Sequence, residues 1–133
     1  MKVETYGSSP ATDMSGEYFT GEVWAEPVIE APSPARNRAI VVRFQPGART
    51  HWHTHPLGQA LYVLSGIGRV QSWGGPVREI KPGDVVWIEP GEKHWHGASP
   101  NMSMSHLAMH ESLDGEHIAW LEPVTDDQYQ GES

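Results

Sequence analysis

A chain of 133 residues with a formal charge of −8 and no cysteine has the length of one domain and can bury one core. The missing thiols exclude disulfides, thiolate nucleophiles and zinc–thiolate sites, so any metal has nitrogen and oxygen donors. Nine basic residues scattered among seventeen acidic ones exclude the basic stripe that holds nucleic acid, and the longest apolar run, residues 60–64, falls far below the ~20 residues of a membrane span.

The first nineteen residues have no apolar core of the secretory type, so export is not expected and the cytoplasm is the expected location. This opening segment reads as irregular, an arm that ties down a sheet edge or reaches a partner subunit. Beyond it, fourteen Gly and eleven Pro divide the chain into short runs, the pattern of an all-β protein with frequent turns. Strands are expected at residues 22–24, 38–44, 49–55, 60–64, 68–73, 77–80, 84–88, 94–98, 103–111 and 117–121. Gly74-Gly75 reads as a hairpin turn, and Pro82-Gly83-Asp84 and Pro90-Gly91-Glu92 carry the residues that tight turns need. A short helical turn is expected at residues 125–129. So many strands at close spacing make a sandwich or a barrel.

Eight His are present, and their placement is more informative than their number. His51, His53 and His55 alternate with Trp52 and Thr54, so along a strand all three project from one face. Pro56-Leu57-Gly58 can turn the chain and return Gln59 to that face. His94 and His96 alternate around Trp95, and His106 and His110 share parity on a third strand. A lone His on a strand is ordinarily a surface residue or a hydrogen-bonded core residue, and His51 and His117 fit that description. Several neutral imidazoles crowded inside a barrel are different, because their lone pairs are costly to bury unless something accepts them. A divalent cation does so.

Two spacings make the chain resemble the cupin superfamily. Gly47, five residues, His53-Thr54-His55, three residues, Gln59, six residues and Gly66 follow the first cupin motif, with Gln in place of its Glu. Gly83, five residues, Glu89-Pro90-Gly91, two residues, His94, three residues and Ala98 follow the second, with Glu89 in place of its Pro and Ala98 in place of its Asn. The register leaves His51 out of the ligand set. The runs at residues 52–59 and 90–98, with His106-Leu107-Ala108 and Leu113-Asp114-Gly115, are further similar to the bacterial cupin-type hydroxynitrile lyases.

The resemblance implies a double-stranded β-helix, a jelly-roll barrel over residues 38–124. An N-terminal arm with edge strands at 1–37 and a tail at 125–133 complete one domain. It implies one divalent ion, manganese above iron, nickel, cobalt or zinc, held by His53, His55, Gln59 and His94, with His96 and His106 near the substrate. The expected reaction is cleavage or formation of a cyanohydrin. His106 takes the hydroxyl proton, and His96 or Lys93 meets the departing anion. Ile40, Val42, Tyr62 and His110 are expected to shape the pocket for a small molecule, His110 standing where the family often has Gln. Phe44 and Trp87 read more simply as core. A metal-dependent oxygenase and a non-enzymatic small-ligand-binding module are the alternative functions. A homodimer or homotetramer is expected, since association covers sheet edges.

Overall fold

Short β-branched and aromatic runs between Gly and Pro turns satisfy their backbone groups by pairing with one another. In the computed structural model, which describes residues 1–5 and 7–131, they form two antiparallel sheets. In chain order the strands are β1 Thr12–Asp13, β2 Phe19–Thr20, β3 Val23–Glu30, β4 Asn37–Phe44, β5 Arg49–Thr50, β6 His53–Thr54 and β7 Gln59–Gly66. There follow β8 Gly68–Ser72, β9 Arg78–Ile80, β10 Val85–Ile88, β11 His94–Ala98, β12 Met104–Glu111 and β13 Ala119–Trp120, and one helix, α1 Asp126–Gln130. One sheet runs β1-β3-β4-β12-β7-β10; the other runs β13-β6-β11-β5-β2, with β8 also paired to β11 and β9 to β8. This is the double-stranded β-helix.

The period of two along each strand decides what lies inside. On β7, Gln59, Leu61 and Val63 are buried while Tyr62 and Leu64 are exposed. Val23, Val42, Phe44, Val63 and Met104 of the first sheet pack with Ile80 and Ala98 of the second, and with Ala48 just before β5, in one core cluster.

β11 is buried along its whole length, because the second sheet is covered on both faces. Its His residues point to the barrel interior. Trp52 and Trp95, at the intervening positions, pack on the far side with Val124 and Tyr129 from the C-terminal segment. Thr125 caps α1 through a reciprocal capping box with Gln128, which satisfies two otherwise orphaned donors. Arg49 clamps the segment: its Nη2 donates to Val124 O and to Asp126 Oδ1, each at 2.9 Å, and its guanidinium lies 4.5 Å from the Tyr129 ring centre. Replacing Tyr129 with alanine is expected to cost about 3–5 kcal/mol, the range for deleting a buried aromatic side chain, as measured by urea unfolding.

Several expectations need correction. The strand expected at 49–55 is interrupted at His51–Trp52, where the chain changes partners. His51 N donates to Tyr18 O, whereas Trp52 N donates to Glu122 O. The strand expected at 22–24 extends to Glu30, since it pairs with β4 along its length. The N-terminal segment is not wholly irregular: β1 pairs with β3 and β2 with β5, so it binds an edge of each sheet. Among the described residues, no helix is long and apolar enough to cross a membrane.

Candidate metal centre and substrate pocket

The two histidine segments meet because β6 and β11 pair with His53 directly opposite His94. Two turns hang from one carbonyl: His55 O accepts from Gly58 N at 3.3 Å and from Gly91 N at 2.9 Å. Both glycines sit at positive φ, 81° and 76°, a conformation that side chains disfavour. A Cβ on Gly58 would also lie 2.7 Å from Ile88 O. The first turn returns Gln59 to the inner face of β7, and the second feeds His94 into β11. His53, His55, Gln59 and His94 are thereby all buried. Ring centres stand 4.1 Å apart for His53–His94, 5.1 Å for His53–His55 and 5.6 Å for His55–His94.

Each of these three rings presents Nδ1 to a main-chain carbonyl: His53 to His51 O at 2.9 Å, His55 to His117 O at 2.6 Å and His94 to Glu92 O at 2.9 Å. A carbonyl can only accept, so Nδ1 carries the proton and Nε2 is left with its lone pair. Nε2 of His55, Nε2 of His94 and Oε1 of Gln59 are buried with no hydrogen-bond partner. Such orphans are rare and costly. A cation removes the cost, and imidazoles with Nδ1–H bound to a carbonyl are the usual form of metal-ligating His. The donor set therefore fits a divalent ion. Burial keeps the rings neutral: it drives His55 down to about 3, against the opposing bond to His117 O, and drives His53 well below the ordinary imidazole range.

Distance alone would admit another triad, since donor nitrogens of His53, His94 and His96 all lie within 4.8 Å of one another. His96 differs in what holds it. Its Nδ1 faces His106 Nε2 at 3.0 Å, a bond between two titratable rings in place of a carbonyl anchor. His96 Nε2 and His106 Nδ1 are buried without partners. Burial pushes His106 down to about 4 and His96 well below its ordinary value. Phe44 closes the deep side, its ring 5.4 Å from that of His106 and 5.9 Å from that of His96.

A largely apolar cavity of about 290 Å³ is lined by Phe19, Ala25, Pro27, Ile40, Val42, Ile118 and Trp120, and also by His110, His117 and the Arg38–Glu30 ion pair. Its size and lining are those of a site for a compact, largely apolar molecule. A larger cleft of about 430 Å³ between β8 and β10 is lined by Ser72, Arg78 and Glu92 and touches His94 alone of the buried imidazoles.

Of the residues expected in the pocket, Ile40, Val42 and His110 line this cavity, while two do not. Tyr62 lies on the outer face of β7, opposite Val85 and Leu107, because it is out of phase with Leu61 and Val63. Lys93 lies outside the barrel, its Nζ 2.7 Å from Glu122 Oε2 and 3.6 Å from the Trp73 ring centre. Trp87, expected in the core, is exposed. His51 stands apart from the cluster with its ring edge-on to Tyr18.

The sequence reading missed His117 and Trp120. His117 stacks on His110 with ring centres 4.9 Å apart, and its carbonyl anchors His55. Trp120 stacks on Tyr18 and lies 4.9 Å from the His53 ring. The short β13 offered no periodicity that would have marked either.

A family model described as a cupin domain matches residues 40–109. The (R)-mandelonitrile lyase of Granulicella tundricola is 52% identical over 130 residues, 98% of this chain and 99% of that protein. A crystal structure of a cupin-like protein from Thermotoga maritima has a TM-score of 0.87 at 36% identity, covering 97% of this chain and 98% of that one. The polyketide cyclase RemF of Streptomyces resistomycificus shares the fold, with a TM-score of 0.75 at 20% identity over 98% of this chain and 91% of its own.

Proposed function

The chain belongs to the cupin domain family, and from that premise we propose that it is a metal-dependent hydroxynitrile lyase, joining or releasing cyanide and a small carbonyl compound. The observation that carries this reading is the set of three buried, carbonyl-anchored imidazoles, with Nε2 of His55 and His94 and Oε1 of Gln59 left without partners, beside an apolar cavity. The near-full-length likeness to a mandelonitrile lyase supplies the reaction.

His53, His55, Gln59 and His94 hold the ion in this reading. Manganese is our assignment, on the resemblance to the cupin-type lyases; iron, nickel, cobalt and zinc accept the same donors. A divalent ion bound there would supply Lewis-acid charge undiminished by its ligands, since all four donors are neutral. The protein is further read as a cytoplasmic homo-oligomer.

The side chains do the rest. Ile40, Val42, Phe19 and Trp120 exclude water and pack the carbonyl substituent. The His96–His106 pair moves the proton: His96 Nε2 accepts it from the substrate hydroxyl while the Nδ1 proton of His96 shifts onto His106 Nε2. As the C–O bond gains its second component, the carbon–cyanide bond breaks with its electron pair going to cyanide. The proton then returns through the same pair to give hydrogen cyanide, leaving the aldehyde or ketone. Both rings begin neutral because they are buried, as a base requires.

The test is benzaldehyde release from mandelonitrile by manganese-loaded protein, followed by absorbance. Release that is stopped by a chelator and restored by added metal is expected. A rate no greater than the spontaneous background, with metal stoichiometrically bound, would end the reading.

A further inference from the structure

The cavity beside the imidazole cluster is polar at one end, and the proposed proton relay does not use that end. Registers on the inner face of the first sheet set its residues in cross-strand rows. Val42, His106 and Val63 share one row, and Ile40, Ala108 and Leu61 share the next. Glu30, Arg38, His110 and Gln59 make the third. An apolar wall thus gives way, within a single row, to charged and hydrogen-bonding side chains that end at an assigned metal ligand.

His110 is held by nothing polar. Its Nδ1 and Nε2 are both buried without a hydrogen-bond partner, as is Nδ1 of His117, whose ring stacks on that of His110 at 4.9 Å. His110 therefore makes no side-chain hydrogen bond that would explain it as part of the scaffold. The two rings are not a second metal centre, since among the described residues no third histidine or carboxylate converges with them. Arg38 and Glu30 line the same cavity and pair with each other, Nη1 to Oε1 at 2.9 Å, so together they add no net charge.

We propose that this end of the cavity is a subsite for a hydroxyl group carried by the carbonyl substrate. The subsite rests on the lyase reading and narrows its substrates to hydroxy-substituted aldehydes or ketones. The inventory of donors and acceptors selects that group. A neutral imidazole has one N–H and one lone pair, so two adjacent rings with unmet nitrogens suit a group that both donates and accepts. A hydroxyl does both. A carboxylate only accepts, leaves the ring lone pairs unmet and competes with Glu30 for Arg38. An ammonium only donates and would face the Arg38 cation. An unsubstituted ring leaves these nitrogens buried and unpaired, the condition under which a site rejects the analogue that lacks the hydroxyl. Ile40 and Val42 pack the carbon skeleton between this end and the row of His106.

The test compares kcat/KM on metal-loaded protein for the three hydroxybenzaldehydes and the three methylbenzaldehydes, each reacting with cyanide. At least one hydroxy isomer is expected to exceed its methyl counterpart by about tenfold or more. His117→Leu, which keeps the main-chain carbonyl that anchors His55, is expected to lower that ratio by about tenfold; the substituent's own electronic effect is common to both proteins. Should His117→Leu fail to fold, His110→Leu reads the same ratio. Wild-type protein that turns over benzaldehyde without a hydroxyl preference, that prefers a carboxybenzaldehyde, or whose preference survives the substitution would overturn the subsite and leave the lyase reading intact. If no aldehyde reacts, the lyase reading fails, and titration calorimetry with the same aldehydes and no cyanide decides the subsite. Tighter binding of a hydroxybenzaldehyde than of its methyl counterpart, lost in the variant, supports it, and equal binding overturns it.

Discussion

His94→Ala is expected to leave the protein without stoichiometric metal and to lower mandelonitrile cleavage by about a thousandfold or more. Lewis-acid stabilisation is worth several kcal/mol in such reactions, and each 1.36 kcal/mol is a factor of ten in rate. The position matters because His94 is held from two directions: its strand pairs with His53, and its Nδ1 is fixed by Glu92 O at 2.9 Å. Removing the ring leaves Gln59 Oε1 and His55 Nε2 still buried and still without partners. His55→Ala is expected to behave likewise, whereas His51→Ala should retain the metal, because His51 contributes a carbonyl and not its ring. The informative comparison is His55→Ala with His96→Ala. Spacing of donor nitrogens would accept His96 as a ligand; the carbonyl anchors favour His55. Elemental analysis of the purified variants separates the two. Metal lost from His96→Ala and retained in His55→Ala would replace the assigned set with the other.

How far these assignments could be read from sequence follows from what the residues report locally. His53, His55 and His94 were legible because the motif spacing encodes two turns at Gly58 and Gly91, and both turns hang from His55 O. Buried and exposed positions on β7 were legible in principle from its period, yet Tyr62 was assigned to the pocket. An aromatic residue reads the same whether it fills a core or faces a neighbour. Trp87 misled in the same way. Lys93 is adjacent in sequence to His94, but a strand sends adjacent residues to opposite faces, and its charge is met outside by Glu122. His117 and Trp120 were illegible for a different reason. Their positions depend on β13 pairing with β6 over only two residues, a contact between segments more than sixty residues apart that no local pattern announces.

His106→Ala is expected to lower kcat for mandelonitrile cleavage by about a hundredfold to ten-thousandfold, the range for a positioned acid–base group, while leaving metal content unchanged. Retained metal is what separates this loss from that of His94→Ala. His106 is fully buried, and its Nε2 meets His96 Nδ1 at 3.0 Å. The rings are coupled: without His106, His96 must keep the accepted proton's charge on its own buried ring, and His106 receives a proton only through His96. The two substitutions should therefore fail to add. His96→Ala is expected to cost about as much as His106→Ala, and the double variant little more than either, as for residues that act as one unit. Steady-state kinetics on the two single variants and the double variant, each with metal content measured, decide the matter. Losses that multiply would mean two independent groups and would dissolve the relay, and an unchanged kcat in His106→Ala would place the base elsewhere in the pocket.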